Sequence, residues 1–166
     1  MAETEYPVTF EWQLRDLKSI YEASEGAQKS QVVKSDVFGN GRWQILFYAN
    51  AGLGTSDDLT SGHISLFLAC EPTDEEKEAV VASDGQWVRE GKYNFSFEIH
   101  DLHKKDLLVR KEAHKHSFLS KTANWGWAQL AKRDVVFYNR PSIREQDALI
   151  ITCTVTRSPE EAHTSA

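Results

Sequence analysis

The chain has 166 residues, enough for one domain with a substantial core. Hydrophobic residues make up 40% and the aromatic set is large (Trp 5, Tyr 5, Phe 8), which excludes wholesale disorder. The formal charge of −6, from 25 acids against 19 bases, argues against nucleic acid as the main partner, because phosphate binding requires concentrated Lys and Arg.

The opening Met1-Ala2-Glu3-Thr4-Glu5 is acidic and polar, unlike a signal peptide, and residues 1–7 are expected to form a tail. No apolar run approaches the roughly 20 residues that cross a bilayer. A cytosolic or nuclear location is therefore expected. The first element is a strand over Val8–Leu14, where Val8, Phe10, Trp12 and Leu14 alternate with polar residues. A weaker strand is expected over Gln31–Val37. Gly39-Asn40-Gly41 then has the composition of a tight hairpin turn leading into Arg42–Tyr48, with Trp43, Ile45 and Phe47 on one face. Ala49–Gly62, rich in Gly, Ser and Asp, is expected to be a loop.

The next strand is His63–Cys70, with Ile64, Leu66 and Leu68 on the core face and Phe67 on the other. Thr73-Asp74-Glu75-Glu76 has the spacing of a capping box and predicts a short helix. Ser83-Asp84-Gly85 is a turn, and Tyr93–Ile99 a strand carrying Phe95, Phe97 and Ile99. Lys104-Lys105 and Arg110-Lys111, interrupted by Asp106 and Glu112, are expected on a solvated loop and not as a nucleic-acid patch. A weak strand over Lys115–Leu119 follows. Asn124 is a candidate N-cap for a helix over Trp125–Arg133. Asp134–Tyr138 is a further weak strand, and Leu149–Val155 a strong one. The pattern predicts an all-β, antiparallel sandwich of about eight strands with one or two short helices in its connections. One domain over residues 8–157 is expected, followed by a tail over 158–166.

Nothing in the chain points to catalysis. Cys70 and Cys153 sit 83 positions apart inside apolar runs, where a thiol is inert, and neither has a neighbouring His. His114-Lys115-His116 is expected to put two imidazoles on one strand face, but no spacing resembles a zinc site. Gly52-Leu53-Gly54 lacks the remainder of a phosphate-binding fingerprint. Neither an enzymatic activity nor a cofactor or metal is expected.

The most informative stretch is Asn124-Trp125-Gly126-Trp127. Two tryptophans flanking a glycine at a strand-to-helix corner are not expected to face the same way. Either both fill the core, or one is exposed beside a polar Asn and offers a surface for a peptide, with Gly126 permitting close approach. Phe67 likewise belongs either to a second apolar layer or to a shallow groove.

Several segments in order extend this: Phe10-Glu11-Trp12, Gly41-Arg42-Trp43-Gln44-Ile45, Gly62-His63-Ile64-Ser65-Leu66-Phe67-Leu68, Phe95-Ser96-Phe97-Glu98-Ile99, Asn124-Trp125-Gly126-Trp127, Lys132-Arg133-Asp134 and Gln146-Asp147-Ala148-Leu149-Ile150-Ile151. From about Val8 to Val155 the chain resembles the MATH domain (meprin and TRAF-C homology). The resemblance implies an eight-stranded antiparallel sandwich that recognises short linear motifs, often rich in Ser, laid along one sheet as an added strand. It implies a peptide-binding site at Phe67, Phe95, His116, Asn124, Trp125, Gly126 and Trp127. Asn124 stands where that family carries an acid, so a demand for a basic peptide residue is not expected. The implied role is substrate recognition or adaptor work in a ubiquitin-pathway protein, either a ligase adaptor or a deubiquitinase. A structural module that self-associates through the same aromatics is the alternative. With no coiled coil in the chain, a monomer is expected, without nucleic acid or membrane as partner.

Overall fold

The computed structural model describes residues 6–25, 30–51, 62–79, 85–137 and 141–159. Eight strands build two antiparallel four-stranded sheets. The strands are β1 (Val8–Arg15), β2 (Val32–Lys34), β3 (Trp43–Tyr48), β4 (His63–Cys70), β5 (Val88–His100), β6 (Leu107–Leu119), β7 (Asn124–Lys132) and β8 (Ala148–Arg157). One sheet has the order β1-β8-β5-β6 and the other β2-β3-β4-β7. The molecule is thus an all-β antiparallel sandwich. Among the described residues, four short helices join strands: α1 (Leu17–Ser24), α2 (Asp74–Ala79), α3 (Arg133–Phe137) and α4 (Pro141–Gln146). No helix among the described residues is long and apolar enough to cross a membrane.

Alternation drives the packing. Trp43, Ile45 and Phe47 of β3, Leu66 and Leu68 of β4, Phe97 and Ile99 of β5 and Ile151 and Cys153 of β8 are fully buried between the sheets. Trp43 is central, with ring centroids 5.1 Å from Tyr93 and 4.9 Å from Phe118. Its indole N–H donates to Tyr6 Oη at 3.2 Å, so the packed part of the chain begins before Val8. At the other end Ser158 is buried and its N–H donates to Lys92 O at 2.8 Å, so packing also extends past Arg157.

A buried ion pair anchors α2. Arg89, on β5, donates to Glu76 from Nε (2.8 Å) and from its terminal nitrogen (2.5 Å). It also reaches the carbonyls of Arg42 and Glu71 and lies over the Trp43 ring. Those bonds hold the Glu76 carboxyl below its ordinary range against the opposing cost of burial. The expected capping box is present: Thr73 Oγ1 accepts from Glu76 N–H, and Glu76 Oε1 from Thr73 N–H.

Cys70 and Cys153 are buried free thiols. Burial pushes Cys70 up to about 12 and raises Cys153 as well, so neither supplies thiolate near neutrality. Gly39, Asn40 and Gly41 all have positive φ, forming the expected turn between Phe38 and Trp43.

Three local expectations are corrected. Residues 124–132 form strand β7, not a helix begun at Asn124. Their pairing with β4 outweighs local preference, and Gly126 and Trp127 are weak helix formers. Residues 133–137 form a helical turn instead of a strand, with Val135 exposed and Val136 buried. Arg110 and Lys111 lie on β6, which starts well before Lys115. Most of the Ala49–Gly62 loop, Ser83 and Asp84 of the turn, and most of both tails lie outside the described residues.

Candidate functional site

The two sheets end on one flank in β6 and β7. Among the described residues, no strand pairs with the outer edge of either. Between these edges lies a shallow depression of about 320 Å³, lined by Phe95, Glu112, Ala113, His116, Trp125, Gly126 and Trp127.

Trp125 and Trp127 both face into it. On an extended strand, residues i and i+2 share a side, and here Trp125 pairs with Leu68 and Trp127 with Leu66, both fully buried. The expectation that the two rings diverge rested on a helical corner that is absent. Trp127 packs on Phe95 (5.8 Å) and Phe97 (6.2 Å). Trp125 lies 4.2 Å from the His116 ring, and its indole N–H donates to Ser117 O at 2.8 Å, tying β7 to β6. Both tryptophans remain half-buried, so each presents apolar surface to the depression.

Gly126 explains the closeness of β7 to β4. A Cβ there would stand 2.1 Å from Leu66 O and 2.6 Å from Phe67 Cα, both backbone atoms. The close approach that Gly126 permits is therefore to its own neighbouring strand.

His116 reaches the depression through a bulge. Lys115 has φ +57°, its N–H donates to Asn94 Oδ1, and the β5–β6 register slips between Tyr93↔His116 and Phe95↔Ala113. The extra residue turns His116 inward while His114 stays outside, within 3.5 Å of Glu112. The expectation that the two imidazoles share a face is thus corrected. Burial and the neighbouring His114 lower the His116 pKa.

That shift has a stability consequence. Because the folded pKa lies below the ordinary 6.5, the unfolded chain takes up the proton more readily. Neutral His116 contributes fully above pH 6.5, and its contribution is lost as pH falls below that value. Chemical denaturation at about pH 7.5 and about pH 5.5 is expected to show a smaller acid-induced loss in His116→Asn than in the parent chain. Equal losses would contradict it.

Five of the seven expected site residues thus line one depression. Phe95 is both core and groove floor: it is 3% exposed, yet its ring meets Trp127 and His116 (6.0 Å). Asn124 is exposed at the start of β7 but is not among the lining residues. Phe67 does not line the depression. It pairs with Gly126 on the opposite side of β4 from Leu66 and Leu68, and its ring meets Tyr48 at 6.1 Å. Sequence reasoning missed Glu112, Ala113 and the Ser117 carbonyl, because the first half of β6 carries no clean alternation. Two other hollows, of about 270 and 500 Å³, contain none of the expected residues. Among the described residues, no three His, Cys, Asp or Glu side chains gather as metal ligands.

No protein-family model matches the chain, and no curated protein matches its sequence.

Proposed function

We propose that the protein is a peptide-recognition domain that binds short extended segments along the outer edge of β7, without catalysing a reaction. One observation carries this: two free sheet edges lie side by side with an aromatic-lined depression between them. From Asn124 to Trp127 the register of β7 on β4 is continuous, so its other edge offers regular main-chain donors and acceptors. The Lys115 bulge interrupts β6, which leaves β7 as the better template. Main-chain pairing would supply affinity, and the surface of Trp125, Trp127, His116 and Phe95 would select one or two side chains. An interface this small suits micromolar binding, roughly −8 kcal/mol.

The resemblance to MATH domains supports the same function through Asn124-Trp125-Gly126-Trp127 and the eight-stranded sandwich. On that basis the chain serves as a substrate-recognition or adaptor unit in a ubiquitin-pathway protein of the cytosol or nucleus. Selection from a random peptide-display library tests the binding function. The expected result is one enriched motif; a selection that enriches none would overturn it.

A second function is favoured by the outer face of the β2-β3-β4-β7 sheet, where Leu46, Tyr48 and Phe67 are only half-buried around Gly126. That face would suit self-association. Sedimentation over a range of concentrations separates the two: a dimer lost in Phe67→Ser supports self-association, and a monomer at all concentrations removes it.

A further inference from the structure

The flank that carries the groove is basic in an acidic protein. From Leu107 to Lys132, through β6, its turn and β7, there are five basic residues (Arg110, Lys111, Lys115, Lys121 and Lys132) and one acid, Glu112. That balance of +4 contrasts with −6 for the whole chain. The one acid, Glu112, borders the depression through its place on β6, but its carboxylate is engaged on the other side of the strand. Glu112 pairs with Ser96 in the β5–β6 register and is engaged by Arg110 and by His114, at 3.5 Å, on the outer face of its sheet.

Lys111 is placed differently. It stands opposite Phe97, just as Ala113 stands opposite Phe95, and both phenylalanines are buried on the inner face. Directly opposed residues in an antiparallel pair project to the same side. Lys111 therefore shares the inward side of β6 with Ala113 and His116, next to the Phe97 ring that Trp127 covers. It is exposed, and no acid pairs with it among the described residues. Burying an uncompensated cation beneath a docked segment is costly, whereas a carboxylate opposite it removes that cost.

We propose that the groove selects an acidic peptide, with an Asp or Glu placed against Lys111. This deepens the peptide-binding function and rests on it. The spacing is also determined. Between His116 and Lys111 lie five residue steps, one of which the bulge absorbs, so about 13 Å separates them at the usual strand rise. The acid then falls about four residues from the side chain seated against Trp125, and both point the same way along an extended peptide. Long-range attraction from the remaining Lys residues would speed encounter at low salt.

Parallel display selections on the parent chain, Lys111→Glu and Trp125→Ala test this. The parent is expected to enrich Asp or Glu at one position about four residues from an apolar anchor, and Lys111→Glu to enrich Lys or Arg at that same position. In anisotropy titrations at about 50 mM salt, changing the peptide Glu to Gln is expected to weaken parent binding about fivefold, and the difference should shrink at about 500 mM. Motifs of identical charge from the parent and Lys111→Glu would overturn the acidic preference while leaving the groove intact. The same motif from Trp125→Ala, or no motif at all, would overturn the groove itself. Competition by an oligothymidylate of about 15 nucleotides, lost in Lys111→Glu, would instead assign the basic strip to nucleic acid and overturn the proposal.

Discussion

Trp125→Ala is expected to weaken binding of a selected peptide at least tenfold while the domain stays folded. The ring is half-buried, packs on His116 at 4.2 Å, and borders the depression between β6 and β7. A tryptophan in such a position typically accounts for about 2 kcal/mol or more of binding, which exceeds the tenfold threshold. The loss to folding should be smaller than for a core ring. Trp125 leaves one carbonyl behind, that of Ser117, at a flank where water can reach it. A loss of about 1–3 kcal/mol from a domain stable by about 5–15 kcal/mol leaves it folded at room temperature. Trp125→Phe should bind with intermediate strength, since it keeps the ring contact and drops the hydrogen bond. Anisotropy titration beside a thermal melt checks both halves. An unfolded Trp125→Ala chain would make Trp125 a core residue and remove the anchor from the groove.

Gly126→Val is expected to destabilise the fold by more than about 3 kcal/mol, which lowers Tm by roughly 6–12 °C in a domain of this size. The new side chain would collide with backbone of β4, at Leu66 O and Phe67 Cα, and backbone cannot swing aside as a side chain can. Relief requires lifting β7 off β4. That would break the pairing of Leu66 with Trp127 and Leu68 with Trp125 and shift the groove wall. Hydrogen exchange should therefore show the largest loss of protection in Leu66–Leu68 and Trp125–Trp127, not in β1 or β8. A Gly126→Val chain that melts within about 2 °C of the parent would contradict the close packing of these strands.

The strong alternation of β1, β3, β4, β5 and β8 made them legible, because each sends every second side chain to the core, although β4 and β8 also bury part of the other face. The first half of β6 was not legible: Leu107-Leu108-Val109 is followed by charges, and an edge strand is solvated enough to accept them. Helix α1 was missed although Leu17, Ile20, Tyr21 and Ser24 share one helical side, since it follows β1 with only the αL residue Asp16 between. The misassigned helix at Trp125–Arg133 shows tertiary pairing overriding local propensity. The site follows the same division. Its ring-bearing residues stand out in the sequence, and four of them, Phe95, His116, Trp125 and Trp127, converge. Their facing does not, because it depends on a single αL residue at Lys115 and on the strand state of Trp125–Trp127. Phe67 was assigned correctly to the outward side of β4, but β7 separates that side from the depression.

The five tryptophans allow one direct measurement of where a peptide sits. Their indole N–H resonances can be followed as a display-selected peptide is titrated. If the groove between β6 and β7 is the binding site, the signals of Trp125 and Trp127 move together and saturate, while those of Trp12, Trp43 and Trp87 stay in place. Saturating shifts at Trp12 or Trp87 with Trp125 and Trp127 unmoved would contradict it.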